Sequence, residues 1–472
     1  MKAHSLLRLG IIFTLFATVF IQSCTDDDQS IGSSDLDGNQ LVTNAKADVI
    51  KDWYKLYLDI EKDLEDFRPN PTSRALGYIG VAAYEAAVPG MPDYLSASSF
   101  LSGYHLAGTN PYNHLYWNGI VENEYFWEAV LNRTYFQTFN YFLFGMNADQ
   151  IDQVQVLYDQ YDAEIQSNLS PEFYAIAIER AEEITNAVIG YAESDTEGAS
   201  QIFEIEPEDY QAPVGTGLWK PTPPDFSNAC HPYWREVRLL VTPQDGVIPE
   251  PHIPYSEDVN SEFYQQAAEV NNAINNLTHE DRWIAEFWSD DLVGITFSPP
   301  ARQVAIANQL IELEHSDMET SLHLYLRLGL ALNDASVICW GAKYVYNLER
   351  PIDYIRRVIN PDFQPILGDA LGVTGQNPNF PAYPSGHSSF AGAGAAVFNL
   401  IYPNVSSFTD RCHENRTSFL SEPRTYSSFD EMAEENAYSR IPLGVHFRMD
   451  CDEGLRIGQE VGEYITRLSI TK

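Results

Sequence analysis

The sequence predicts an all-α fold of two packed helical bundles, and three observations carry that prediction. Apolar residues recur at steps of three and four through most of the chain. No alternation of apolar and polar residues runs long enough to build a sheet. A proline-rich connection, residues 204–260, separates an N-terminal helical half (45–203) from a C-terminal one (261–472).

In order, Val49, Trp53, Tyr57, Ile60, Leu64 and Phe67 mark a first helix ending at Arg68-Pro69. Pro71 opens a second, whose Ala82, Ala83, Ala86 and Ala87 allow a close helical neighbour. Residues 148–166 and 171–191 read as a further pair. Beyond the connection, helices are expected at 261–276, 278–288, 301–314 and 317–346. Thr278 caps the second of these, with Asp281 at its third position. Residues 351–384 read as loop-rich, and two last helices are expected at 387–401 and 450–468.

The chain has 472 residues, with 28 Lys and Arg against 67 Asp and Glu, a formal charge of −39. At 44% hydrophobic and 13% aromatic residues it is no disordered acidic chain. A body of this size buries enough surface to fold without a metal or disulfide scaffold. The negative charge opposes binding to nucleic acid or to anionic lipid. A site for an anionic ligand must therefore be a local basic exception.

Residues 1–23 read as a secretory signal: Lys2 and Arg8 precede the apolar run Leu9 to Ile21, which is too short for a membrane span. Ile21-Gln22-Ser23-Cys24 resembles a bacterial lipobox, so Cys24 is the expected lipid anchor. Residues 24–44 form a flexible tether. The expected location is outside the cytoplasm, as an outer-membrane lipoprotein facing the periplasm or the cell surface. Of the four remaining cysteines, Cys412 and Cys451 are the favoured pair, because both flank the last motif described below. Cys339 reads as a buried thiol and Cys230 is unassigned.

Three separated clusters carry the chemistry. Lys343 and Arg350 stand seven residues apart, two helical turns, so both cations project from one face. Pro384-Ser385-Gly386-His387 opens a helix of small residues, where backbone N–H groups and the positive dipole end form an anion seat. Arg440 offers a forked donor to an oxyanion. His446 is followed one turn later by Asp450, which can hold one ring nitrogen and leave the other free to bond. Singly, each cluster has a bland reading as a helix face or a satisfied histidine. Together, in a chain this acidic, they describe a pocket for a tetrahedral oxyanion.

These three motifs resemble those of the vanadium-dependent haloperoxidases and the type 2 phosphatidic acid phosphatases, which share an all-helical fold. The resemblance implies that Lys343, Arg350, Ser385, Gly386, Arg440 and His446 bind vanadate or phosphate, with His446 bonded to vanadium. It implies that His387 is the general acid/base, that Lys343 polarises bound peroxide, and that Asp450 orients His446. Trp340, Phe380 and the segment Trp288-Ser289-Asp290-Asp291 are similar to the peroxidase branch, where Asp291 would pair with the pocket arginines. Core packing is the alternative reading of Trp340 and Phe380. The implied cofactor is vanadate; the implied partners are hydrogen peroxide, a halide (iodide first, bromide second) and small organic acceptors. An acid phosphatase working through a phosphohistidine at His446 is the alternative. Arg356 and Arg357 read as surface charges paired with acids rather than as an anion guide.

Overall fold

The computed structural model describes residues 42–64, 67–106, 125–373 and 375–472. The expected signal segment, Cys24 and nearly all of the tether lie outside them. Among the described residues the chain is almost wholly helical, as the apolar periodicity predicts. The N-terminal half comprises α1 (Asp48–Glu61), α2 (Asn70–Ala87), α3 (Tyr125–Phe142), α4 (Ala148–Asn168), α5 (Pro171–Glu193) and the short α6 (Thr196–Gln201). The C-terminal half comprises α7 (Glu262–Asn275), α8 (His279–Phe287), α9 (Pro299–Leu313), α10 (Met318–Tyr346), α11 (Pro351–Val358), α12 (Gly386–Ile401), α13 (Phe429–Ser439) and α14 (Arg448–Thr466). Between them the connection holds only one 3-10 turn, Trp234–Glu236. No helix among the described residues is long and apolar enough to cross a membrane.

Helix starts follow side-chain chemistry. Ser170, Ser261, Thr278, Ser298, Asp317, Ser385 and Ser428 each accept a backbone N–H of the first turn they precede. Helices α3 and α13 were not expected from the sequence, and four further features depart from expectation. The first helix stops at Glu61 rather than Arg68, because the Lys62 carbonyl leaves the helix to accept the Gly294 amide. Residues 351–358 form a helix within the supposed loop, with Pro351 at its first turn and Arg350 before it. A two-stranded antiparallel hairpin, β1 (Phe408–Asp410) with β2 (Arg424–Tyr426), was too short for the alternation rule to register. Cys412 and Cys451 are free thiols, so the favoured disulfide does not form; Cys412 sits on the hairpin, where Gln309 donates to its sulfur, while Cys451 is buried in α14.

The two halves share one hydrophobic core. α10 lies along α2, and the same buried cluster takes Trp53, Tyr57 and Ile79 from one half with Leu326, Trp340 and Phe398 from the other. Inside the second bundle, α12 packs on α14 closely enough that backbone touches backbone. A Cβ on Gly454 or Gly458 would overlap the carbonyl oxygen of Ser385 or Ser389. The Ser385 amide donates to the Asp450 carbonyl at 2.7 Å, pinning the start of α12 against the first turn of α14.

Candidate active site

That contact brings the second and third motifs together, and α10 carries the first to the same place. Lys343, Arg350, Ser385, Gly386, His387, Arg440, His446 and Asp450 are all buried. Asn347, in the left-handed conformation, closes α10 and turns the chain so that Arg350 follows Lys343 into the pocket.

The cations are held by carbonyl oxygens. Lys343 Nζ donates to the Pro381 and Ala382 carbonyls at 3.0 and 3.1 Å, and also to that of Pro384. Burial, with Arg350 and Arg440 nearby, pushes its ammonium below its ordinary value against the pull of Cys339 and Asp450. Arg350 donates to the Phe380 and Val445 carbonyls at 2.8 and 2.9 Å, and one nitrogen lies 3.2 Å from His446 Nε2. Arg440 donates to Asp291 at 2.6 Å and to the Trp288 carbonyl at 3.3 Å.

The histidines are prepared differently. His446 Nδ1 lies 3.0 Å from Asp450 Oδ2, an oxygen that also accepts the Phe447 amide at 2.9 Å. A carboxylate oxygen only accepts, so the Nδ1 proton faces Asp450 and Nε2 keeps its lone pair. Burial, then Arg350, Lys343 and Arg440, depress the His446 imidazole well below its ordinary value. His387 is lowered to about 4, first by burial and then by Arg440, with Asp291 opposing. Its Nε2 stands 3.6 Å from Asp291 Oδ2, beyond a hydrogen bond. Asp291 itself is lowered to about 2: burial raises it, but Arg440 and His387 outweigh that.

Polar atoms left over define the ligand. Arg350 Nη2, Arg440 Nε and His387 Nε2 are buried with no hydrogen-bond partner among the described residues. The Gly386 and His387 amides head α12, where helix geometry supplies no acceptor. A cavity of about 190 Å³ is bordered by Gly386, His387, Arg440 and His446, and Arg350 stands behind it against His446 Nε2. Orphaned buried donors cost about 1–3 kcal/mol each, so the pocket demands acceptors. No cluster of three His, Cys, Asp or Glu able to chelate a metal ion occurs among the described residues. The donor set fits an oxyanion anchored by one imidazole.

Trp340 and Phe380 satisfy both readings at once. Their rings pack 5.0 Å apart, line the cavity, and lie against Lys343 Nζ, with Arg350 also over Phe380. Gly386 has a second duty: a Cβ there would meet the Trp340 ring at 3.0 Å. Arg357 pairs with Glu349 and Glu257, and Arg356 donates to the Phe363 carbonyl, so neither points to the pocket. Sequence reasoning missed Arg68 and the buried set around Arg302. Arg302 is held by Asp290 and Asp410 and touches His413, all fully buried, and Asp290 borders the cavity. No local signal marked Arg68, which follows Asp63, Glu65 and Asp66 in a charged stretch.

Known proteins and solved structures resemble this chain in sequence and fold. Residues 323–470 match the family model of the VCPO second helical-bundle domain. The vanadium chloroperoxidase of Curvularia inaequalis is 25% identical over 281 residues, 46% of this chain and 45% of that protein, so the chain matches about half of that relative's length. The solved structure of the first bacterial vanadium-dependent iodoperoxidase superposes with a TM-score of 0.73 at 24% identity, covering 91% of this chain and 98% of that one. A bacterial vanadium-dependent chloroperoxidase in its holo form gives 0.63 at 15% identity, covering 89% and 97%.

Proposed function

The chain belongs with the vanadium haloperoxidases in its fold and in its second helical bundle, and we propose that it binds vanadate and oxidises halide with hydrogen peroxide. The carrying observation is the set of unpartnered polar atoms, the donors Arg350 Nη2 and Arg440 Nε with the ring nitrogen His387 Nε2, near the Nε2 of His446. Lys343, Arg350, Ser385, Gly386 and Arg440 would hold the oxyanion, and His446 Nε2 would bond it. Bound vanadate supplies a Lewis acid that activates peroxide towards halide without changing oxidation state.

The chain's own residues do the rest. Asp450 fixes the ring of His446 and its tautomer. Three buried cations, preorganised on carbonyl oxygens, neutralise charge without reorganising. His387, neutral above about pH 4, accepts a proton at Nε2 and returns it. Trp340 and Phe380 keep water from the cation side of the pocket. Iodide is the proposed first substrate and bromide the second, with small organic acceptors consuming the oxidised halogen. We also propose export with lipidation at Cys24; a Cys24→Ser chain recovered in the soluble fraction supports it, and unchanged membrane association overturns it.

One paired assay on protein lacking residues 1–24 tests the reading. Triiodide formation from iodide and peroxide is followed with and without vanadate, beside hydrolysis of an aryl phosphate. Vanadate-dependent triiodide formation is expected. Aryl phosphate hydrolysis that vanadate inhibits, without iodide oxidation, would instead establish a phosphatase using His446 as nucleophile.

A further inference from the structure

The oxyanion reading leaves one cation of the cavity wall without a task. Arg68, on the turn between α1 and α2, borders the same cavity as His387, Arg440 and the Trp340, Phe380 and Phe390 rings, and is only 9% exposed. It comes from the N-terminal half, which none of the three motifs reaches.

Its contacts are long. One terminal nitrogen donates to the Lys62 carbonyl at 3.4 Å, the other to the Asp290 carbonyl at 3.3 Å, and Nε stands 3.5 Å from Glu61. A guanidinium has five N–H groups, so these three contacts leave donors unspent. Glu61, fully buried, faces Nε and also accepts the Thr72 hydroxyl at 3.0 Å and the Ser298 amide at 3.2 Å, so it is held in place from three sides. The nearest acid on the pocket floor, Asp291, is paired with Arg440. A buried cation with unspent donors, on a cavity wall shared with the Trp340, Phe380 and Phe390 rings, can take a small anion beside the tetrahedral one.

We propose that Arg68 seats the halide, placing a co-substrate contact on the N-terminal half in the cavity it shares with His387, Arg440 and His446. This rests on the haloperoxidase reading and adds a residue to it. Glu61 is then a positioning residue, which aims Arg68 and through Ser298 fixes the rim formed by the start of α9.

The test compares wild type, Arg68→Gln and Arg68→Lys in steady-state iodide oxidation, in vanadate titration, and in iodide-induced thermal shift of the vanadate-free protein against sulfate at equal ionic strength. Arg68→Gln should raise the iodide KM about tenfold, leave vanadate affinity within twofold, and abolish the iodide-specific shift. Arg68→Lys, which keeps the charge, should stay within about threefold of wild type in KM. An unchanged iodide KM in Arg68→Gln overturns the proposal, as does a parallel loss of vanadate affinity. Should Arg68→Gln not fold, the wild-type shift decides: iodide no better than sulfate overturns it. A wild-type protein that shows the iodide shift but no vanadate-dependent oxidation refutes the functional reading alone.

Discussion

His446 is held from both sides, by Asp450 at Nδ1 and by Arg350 near Nε2, and each contact has a separable consequence. Asp450→Asn keeps the shape but presents N–H or a weaker acceptor to Nδ1, releasing the tautomer. Vanadate affinity, read by titration of the purified protein, should fall about 10- to 100-fold, the usual cost of losing such an outer partner. His446→Ala should abolish vanadate retention outright. Asp291 acts on the other imidazole: it raises the His387 value against Arg440, so Asp291→Asn should move the acid limb of the activity profile to lower pH. A shift to higher pH would refute that electrostatic assignment. These pairings were legible in the sequence because they are local. The structure makes them by another route than one helix face: α10 ends at Tyr346 and Arg350 follows the Asn347 turn, while His446 precedes α14, whose first turn carries Asp450. Arg68 was not legible, since its place in the cavity depends on how α1 and α2 meet the second bundle.

Between elements, the α12–α14 contact sets the distance between the helix that carries His387 and the helix that carries Asp450. Gly458→Ala would drive a methyl group into the Ser389 carbonyl and leave it 2.9 Å from the Ala393 amide. Overpacking of this kind costs about 1–3 kcal/mol. Denaturant unfolding should show that loss, and vanadate affinity should fall with it, because the seat at Ser385 must move. Normal vanadate binding in a destabilised variant would mean that the start of α12 is positioned by other contacts. Long helices with strong caps, such as α10, were readable from apolar spacing. Helix α11 was obscured by the prolines and glycines that follow it, and α13, with five acidic or amide residues in eleven, shows little apolar period. The sequence suggested two packed bundles; the proline-rich connection marks where the helical period stops, and the packing of both halves into one core lies beyond what that connection shows.

On the scale of the whole molecule, a chain at −39 hides several imidazoles in apolar surroundings, and this sets its response to acid. His231 is the clearest case: fully buried, both ring nitrogens without partners among the described residues, and lowered to about 3 by burial. Its folded value lies below the unfolded value of 6.5, so the unfolded chain binds more protons between those limits. The contribution to stability is complete above about pH 6.5 and is lost as pH falls towards 3, on the order of 5 kcal/mol at 1.36 kcal/mol per unit. His387, lowered to about 4, adds a loss of the same sign over a narrower span. The part of the unfolding free energy that these two histidines supply should therefore fall between pH 7 and 4, against the opposite contribution of Asp290 and Glu319, which burial raises to about 6 and 7. His231→Asn should flatten the slope, since Asn tolerates the positive φ of 51–54° that this stretch adopts at Phe226 and His231 but carries no proton to gain. Equal slopes in the two proteins would show that the acid response comes from elsewhere, with the buried Arg302–Asp290–Asp410–His413 set the next group to replace. The shared core carries the same argument to truncation: residues 261–472 alone would expose the face of α10 that α2 covers, and should be recovered aggregated rather than folded.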